Sequence, residues 1–181
     1  RICTFPVRAV RKALGVRPKP ENLLHRRIYN TCIDYPTLLA QGLCGRIAVA
    51  RDALSHTSDA SKREFLCCAI EGLEALGELV NRYAAEAEKV GNIEVSEMLK
   101  RLAAERPQHL QEALQLVRVV QFGLYLHGMQ HCGLGRMDQY LRSFYEQDLQ
   151  SGWLTREGAK ELFEEFFIAL NRDADLYPGV Q

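Results

Sequence analysis

Hydrophobic residues recur every three or four positions through most of the chain, which is the spacing of one face of an α-helix. The longest such run follows Asp59 and lasts to Gly91, and it predicts one amphipathic helix of about nine turns. Asp59 or Ser58 is expected to cap its N-terminus, because both side chains accept a backbone hydrogen bond. Its apolar stripe is predicted to lie in the core and consists of Phe65, Ala69, Leu73, Leu76, Val80, Tyr83, Ala87 and Val90.

An earlier helix is predicted from its capping residues. Asp34 is a favourable N-cap, and Pro36 is tolerated in the first turn of a helix. A helix over residues 35–41 should end at Gly42, which takes up the backbone conformation of a C-cap without steric cost. Residues 45–54 are expected to continue as a helix.

Three further helices are expected downstream, over residues 94–104, 111–127 and 156–171. The second is apolar on most sides, so it should be buried. Thr155 is the expected N-cap of the third. That helix is predicted to bury Ala159, Leu162, Phe163, Phe166, Phe167 and Leu170. Alternating patterns are absent apart from a short candidate strand within residues 132–138.

These elements predict a mostly α fold with at most one or two short strands. The 181 residues are 47% hydrophobic, enough for one globular domain over residues 1–181 with a real core. Residues 1–20 are basic and interrupted by prolines, and they predict an irregular N-terminal arm.

Charge and cysteine content narrow the function classes. The 23 basic and 23 acidic residues balance, which argues against binding to nucleic acid by phosphate neutralisation. Each run of hydrophobic residues is shorter than about 20 residues, the length that a helix needs to span a membrane. The six cysteines include no Cys-x-x-Cys pair, so reduced and mostly buried thiols in a cytoplasmic protein are expected.

Complete catalytic motifs are absent from the sequence. It contains no phosphate-binding glycine loop, no Gly-x-Ser-x-Gly elbow and no dinucleotide fingerprint. His127 and His131 are four residues apart and could share a metal, as in a metal-dependent hydrolase, but no Glu completes a His-Glu-x-x-His motif. We therefore predict neither catalytic residues nor metal ligands from the pattern alone.

The segment 133–149, here called the signature segment, is more particular than a generic helix. Gly133 and Gly135 flank Leu134 where the chain needs a path without a Cβ atom. Arg136 and Asp138 follow, two residues apart and opposite in charge, so in a loop they could brace each other. Aromatic and leucine residues then recur at helical spacing.

This segment resembles the glycyl radical enzyme family, whose members are similar to pyruvate formate-lyase. Residues 135–141, Gly-Arg-Met-Asp-Gln-Tyr-Leu, fit the family motif residue by residue, so Gly135, Arg136, Asp138 and Gln139 are predicted as its structural signature. Further matching positions are Asp148, Leu149, Gly152, Leu154, Thr155, Glu157, Ala159, Glu161 and Leu162, with Glu112-Ala113-Leu114-Gln115 upstream.

The resemblance implies a fold and a site. The family fold is a ten-stranded α/β barrel wrapped by helices, of which this chain resembles the N-terminal, helical portion. Asp34, Tyr35, Leu39 and Gly42 match a family segment in which a histidine lines the substrate pocket of diol-dehydrating members. Here Asn30 takes that histidine's place. Asn30 is therefore the substrate-binding candidate, although an amide cannot transfer a proton near neutral pH.

The resemblance also implies a chemistry. Family members carry a radical on a glycine in an Arg-Val-x-Gly-Tyr-like loop, installed by a separate radical-AdoMet activase, and pass it to a loop cysteine. Neither loop occurs in this sequence, and Cys44 between Gly42 and Gly45 only imitates the second. The parent protein would be a lyase or acyltransferase that acts on a small molecule and pairs with its activase, and it could be a homodimer.

Two functions are therefore expected. The first is a fragment of a glycyl radical enzyme that is inactive alone and has no cofactor in this chain. The alternative is a stand-alone helical binding or scaffold module derived from that family.

Overall fold

A computed structural model describes residues 31–126 and 132–171. Seven helices and two short strands form within these two ranges. In chain order they are β1 (Thr31–Cys32), α1 (Tyr35–Ser55), α2 (Ala60–Lys89), α3 (Ile93–Ala104), α4 (Leu110–Leu126), β2 (Cys132–Gly133), α5 (Met137–Tyr140), α6 (Arg142–Ser151) and α7 (Arg156–Asn171). The predicted fold class, mostly α with one or two short strands, is confirmed.

The described residues group into two compact units. The helical unit is Asp34–Val119, and the signature unit contains residues 31–33, 120–126 and 132–171. The predicted single domain over residues 1–181 stays a prediction. The predicted arm at residues 1–20 lies outside the described residues. Within the described ranges, none of the helices combines the length and the apolar character needed to cross a membrane.

Side-chain caps start the first three helices. The Thr37 backbone N–H and hydroxyl both donate to the Asp34 carboxylate, at 3.2 and 2.7 Å, and these bonds lower the pKa of Asp34. Lys62 N–H donates to Asp59 at 2.9 Å, and Asn92 caps α3 in the same way. Each bond satisfies a backbone donor that has no partner inside the helix. The predicted caps Asp34 and Asp59 are confirmed.

Gly42 interrupts α1 where the sequence predicted a helix end. Its backbone has φ 68° and ψ −177°, and helix resumes beyond it to Ser55. A Cβ atom at Gly42 would lie 2.9 Å from both Arg106 Cα and Glu105 O. Glycine is therefore required twice, by its own backbone conformation and by the close approach of the loop after α3.

The core of the helical unit lies where α1, α2 and α3 pack on one another. Short connections join these helices, as in other antiparallel helix pairs. The inward residues predicted for the third of them, Val95, Leu99 and Leu102, are buried. The buried apolar side chains of α1 and α2 are Tyr35, Leu38, Leu39, Leu43, Ile70, Val80 and Ala84.

Helix α4 is buried as predicted, but it also buries a polar stripe that the sequence analysis did not identify. The stripe consists of buried polar residues that are three positions apart along the helix. Its members are Glu112, Gln115, Arg118 and Gln121. Glu112 lies in the first turn of α4. Its carboxylate accepts from the Arg101 guanidinium at 2.7 Å and from the Gln108 backbone N–H at 2.8 Å. The carboxylate thereby joins the end of α3, the connecting loop and the start of α4.

Three residues predicted for the core are exposed. Phe65 is 71% exposed and Val90 80%. Helix α3 has 12 residues against 30 in α2, so it can cover only part of α2, and Val90 lies just past the last turn. In α7 the buried stripe is narrower than predicted and includes Ala169, whereas Phe167 is half exposed and contacts the Phe166 ring edge-on at 5.7 Å.

The cysteines in the described ranges are free thiols, as expected for a reduced protein. The prediction that most of them are buried is wrong, because Cys32, Cys67 and Cys68 are exposed. Cys67 and Cys68 lie on the first third of α2, where most residues are exposed.

Candidate functional site

The signature unit is organised around a two-stranded parallel pair. In β1 and β2, Thr31 is in register with Cys132, and Cys32 with Gly133. The strand predicted within residues 132–138 is thus confirmed, although it covers only two residues. The pair places the segment before α1 directly beside the start of the signature segment.

Gly135 makes the turn out of β2. Its φ is +61°, in the left-handed region that favours glycine. A Cβ atom there would lie 2.9 Å from the Cys32 sulfur. The second glycine of the motif is therefore needed because the turn is left-handed and because the thiol of the neighbouring strand packs against it.

Arg136 and Asp138 form the brace that the sequence predicted. Arg136 Nε donates to Asp138 Oδ1 at 2.9 Å, and its Nη2 donates to Oδ2 at 2.7 Å, so the pair is bidentate. The hydrogen bond from Arg136 lowers the pKa of Asp138, and the carboxylate raises the pKa of Arg136. Both side chains are mostly exposed, so the pair adds little stability and instead fixes the geometry of the turn.

Tyr140 closes the motif from the other side. Its hydroxyl donates to the Leu134 carbonyl at 2.8 Å, across the turn made by Gly135. Burial raises the pKa of Tyr140, and the neighbouring Cys32 and Cys132 raise it further. A tyrosine hydroxyl is protonated at neutral pH, and here it donates its hydrogen to the Leu134 carbonyl.

The structure brings the four predicted signature residues into one turn. Gln139 is exposed, and its backbone N–H donates to the Arg136 carbonyl at 2.9 Å. Asn30, the predicted substrate-binding residue, lies outside the described residues, as do His127 and His131. Cys44 is in α1 of the helical unit, so it remains a helix residue with no assigned role.

Sequence reasoning missed the group formed by Tyr140 with Cys32 and Cys132. Tyr140 was placed on a helix face by its spacing, and the two cysteines are about a hundred residues apart in the chain. Only the pairing of β1 with β2 brings them together. A cysteine directly before Gly133 was the one local signal available.

The arrangement fixes the backbone geometry of the turn through the Arg136–Asp138 pair and the Tyr140–Leu134 hydrogen bond. Asp138 is held ionised by Arg136, and Tyr140 is held neutral. No three histidine, cysteine, aspartate or glutamate side chains cluster as metal ligands in the part of the chain that the structure describes. The signature turn joins β2 to helices α5 and α6.

Replacing Gly135 with alanine should lower the free energy of unfolding by about 2 kcal/mol, since a left-handed alanine costs about 1–2 kcal/mol and the Cys32 sulfur must also move. Urea denaturation of Gly135→Ala would measure this loss. Adding Cys32→Ala should recover only the part due to the contact. Full recovery in the double variant would show that backbone strain contributes nothing.

One family model matches most of the length of this chain. The model described as pyruvate formate lyase-like matches residues 21–178, which include both strands and the whole signature segment.

Characterised relatives are glycyl radical enzymes and related lyases. The chain is 30% identical over 161 residues to (2S)-3-sulfopropanediol dehydratase of Klebsiella oxytoca, covering 80% of this chain and 20% of that protein. It is 31% identical over 165 residues to isethionate sulfite-lyase of Oleidesulfovibrio alaskensis, with the same two coverages. The chain thus spans about a fifth of the length of these relatives.

Solved structures give the same result. The B12-independent glycerol dehydratase from Clostridium butyricum superposes with a TM-score of 0.72 at 25% identity, over 80% of this chain and 20% of that one. A glycyl radical enzyme from Archaeoglobus fulgidus gives 0.68 at 26% identity, over 75% and 20%. The helices and strand pair described above therefore correspond to a portion of the larger glycyl radical enzyme fold.

Proposed function

The chain belongs to the pyruvate formate lyase-like family, and on this premise we propose that it is the N-terminal, helical portion of a glycyl radical lyase and is inactive by itself. The observation that supports this most directly is coverage: the chain matches four-fifths of its own length to about one-fifth of its relatives. The signature turn at Gly135–Asp138 supports it further, because Gly135 has a left-handed backbone and Arg136 pairs with Asp138.

The chemistry of the parent would come from residues that this sequence does not contain. In the family a glycine radical is passed to a cysteine, whose thiyl radical abstracts a hydrogen atom from the substrate. Neither radical-bearing loop is present in the 181 residues. The described residues would instead support the barrel wall, with the Arg136–Asp138 brace and the Tyr140–Leu134 hydrogen bond fixing the turn that leads out of β2.

The relatives suggest a class of reaction for the parent. Those named above are a dehydratase of a sulfonated diol, a sulfite-lyase and a glycerol dehydratase, so bonds from carbon to oxygen or sulfur are broken in each. A lyase that acts on a small polar substrate is the proposal that follows. Asn30, in the family's pocket position, would contact that substrate through its amide. The family's acyltransferases are the less favoured reading.

The setting of the parent follows from the same chemistry. A glycyl radical is destroyed by oxygen, so we propose an anaerobic, cytoplasmic enzyme that requires a radical-AdoMet activase. The radical would be installed in the parent and not in this chain, which needs no bound cofactor of its own.

The first test is the length of the native polypeptide. Peptide mapping of the protein isolated from its natural host should find a product several times larger than 20.6 kDa that contains a glycyl radical loop. A native product of 20.6 kDa would contradict the proposal and favour the stand-alone module.

The second test asks whether the chain is silent. The 181-residue protein, incubated without oxygen with a glycyl radical activase, AdoMet and a reductant, should show no glycyl radical signal by electron paramagnetic resonance. The C. butyricum glycerol dehydratase with its own activase is the positive control. A radical signal on this chain would contradict the proposal.

The alternative function, a stand-alone helical binding or scaffold module, is favoured by one observation. The helical unit has its own core and its own caps at three helix starts. A cooperative thermal transition and a monodisperse protein would support this alternative, whereas aggregation would support the fragment.

A further inference from the structure

Two thiols lie next to each other on the surface of α2. Cys67 and Cys68 are adjacent in the sequence, and both are exposed and free of disulfides. Free cysteine is among the most often buried residue types, and its reactivity usually matters more than its packing. Two exposed cysteines side by side are therefore a candidate binding site, and the geometry of the helix determines what they can bind.

The helix prevents the two thiols from forming a disulfide with each other. Adjacent residues of an α-helix are rotated by about 100° around the axis and shifted by about 1.5 Å along it, so their Cβ atoms are about 5 Å apart. A disulfide needs its two Cβ atoms about 3.8 Å apart. The bond would require the helix to open between Cys67 and Cys68, whereas α2 is continuous from Ala60 to Lys89.

A metal ion bound by both sulfur atoms fits the same spacing. Bonds from thiolate sulfur to zinc are about 2.3 Å long, so two sulfurs on opposite sides of one ion of similar size are about 4.6 Å apart. Rotation of each side chain about its Cα–Cβ bond brings the sulfurs to that separation. The pair can therefore hold an ion without any change in the backbone of α2.

The type and number of ligands indicate which ion binds. Thiolates are soft ligands that select Cu(I), zinc and iron–sulfur clusters. Structural zinc and iron–sulfur clusters take four protein ligands, and the described residues contain no group of three or more histidine, cysteine, aspartate or glutamate side chains placed to hold a metal. Two thiolates in a line are enough to bind Cu(I). We propose that Cys67 and Cys68 together bind one Cu(I) ion on the surface of α2.

Binding releases two protons and leaves one negative charge. Each thiol gives its proton to solvent, and each thiolate forms one bond to the ion, so two thiols and one Cu(I) become an anionic bis-thiolate. Arg63 lies one turn before Cys67, and its guanidinium is fixed by hydrogen bonds to two backbone carbonyls at 2.9 and 3.0 Å. Its positive charge stabilises the complex. Glu64 and Glu71 attract the free cation but oppose the anionic product.

The surroundings of the pair leave it open to an incoming ion. Gly72 lies one turn after Cys68, and a Cβ atom built on it meets no described atom within 4 Å. Phe65 lies one turn before Cys68, and its side chain is 71% exposed. An ion that is exchanged from a small chelator can therefore reach both sulfurs.

This inference rests on two residues of α2 and not on the proposed radical chemistry. The fragment and the stand-alone module would each contain the thiol pair, and the radical test above does not involve copper. The two proposals can therefore fail separately.

The first experiment is an anaerobic titration of the reduced 181-residue chain with Cu(I), with glutathione in excess over the protein thiols. The protein should retain one Cu(I) per chain after gel filtration, because two ligands on one scaffold bind about 10²–10⁴-fold more tightly than separate ligands. Metal analysis measures the bound copper. X-ray absorption spectroscopy of the complex should find two sulfur neighbours around each copper.

The second experiment compares cysteine variants in the same titration. Cys67→Ser and Cys68→Ser should each lower the affinity for Cu(I) by at least about 100-fold, because each leaves a single thiol at the site. The matched control combines Cys68→Ser with Ala69→Cys, which restores the number of thiols but places them on opposite sides of the helix. It should bind as weakly as Cys68→Ser. Cys44→Ser should bind as tightly as the wild type, and circular dichroism should show the same helix content throughout.

Three outcomes would overturn the proposal. One is a wild-type chain that loses its Cu(I) to glutathione. Another is copper retained at the wild-type level by Cys67→Ser and Cys68→Ser, which would place the ion on other cysteines. The third is wild-type affinity in the variant that carries Cys68→Ser and Ala69→Cys, because adjacency of the two thiols would then be irrelevant.

Discussion

Gly42→Ala should lower the free energy of unfolding by about 3 kcal/mol or more, the largest effect that we expect from a single added methyl group. A backbone at φ 68° and ψ −177° is nearly exclusive to glycine, and holding another residue there costs about 1–3 kcal/mol. The new Cβ would also lie 2.9 Å from Arg106 Cα and Glu105 O, which are backbone atoms that cannot rotate away. Overpacking of this kind adds about 1–3 kcal/mol.

Gly77→Ala is the matched control for this substitution. Gly77 lies inside α2, and a Cβ there meets no described atom within 4 Å. Alanine should therefore raise the stability by about 0.5–1 kcal/mol through its helix propensity. Urea denaturation of both variants would measure the contrast. Equal stabilities would mean that the interrupted helix at Gly42 is not the conformation of the folded protein.

Glu112→Ala is expected to cost about 3 kcal/mol, since breaking a buried ion pair typically costs about 3–5 kcal/mol and Arg101 is half exposed. The Glu112 carboxylate is almost fully buried and accepts two hydrogen bonds, from Arg101 and from the Gln108 backbone. Its loss removes both at the start of α4, where a negative charge also suits the helix dipole. Chemical denaturation would measure the effect.

Glu74→Ala is the comparison for the buried carboxylate. Glu74 accepts from Arg51 at 2.6 Å, so the contact is as short as that of Glu112, but the side chain of Glu74 is 42% exposed and that of Arg51 is 64% exposed. The cost should stay below about 1 kcal/mol. If the two alanine variants were equally destabilised, burial would not explain the stability contributed by Glu112.

The helix starts were predictable because their causes are local. Asp34 and Asp59 cap the helices that follow them through residues three positions ahead, and Gly42 changes the backbone at its own position. Such effects depend only on residues a few positions apart in the sequence. The short strand expected within residues 132–138 was also found, at Cys132–Gly133.

Burial was predicted less well because it depends on distant neighbours. The periodicity placed Phe65 on the core face of α2, but its side chain is 71% exposed. Whether the face is covered depends on the length of α3, which the sequence of α2 does not contain. The polar stripe of α4 was missed for a similar reason, because Glu112 contacts Arg101 only when the loop between α3 and α4 is folded.

In the candidate site, too, the local contacts could be predicted from the sequence and the contacts between distant segments could not. The brace between Arg136 and Asp138 spans two residues, so their charges alone suggested it. The close packing of Cys32 against Gly135 joins segments about a hundred residues apart, and no local pattern indicates it. The role of Asn30 was inferred from resemblance and stays a prediction.

The pairing of Thr31 with Cys132 has a consequence for how the polypeptide folds. Pairing the strands closes a loop of about a hundred residues, which costs more chain entropy than closing the short loops between the described helices. The two short strands offset little of that cost. Helices α1 to α3 should therefore form early, with local contacts, and the strands should meet last. In pulse-labelling hydrogen exchange during refolding, the amides of α2 should gain protection well before those of Cys32 and Gly133.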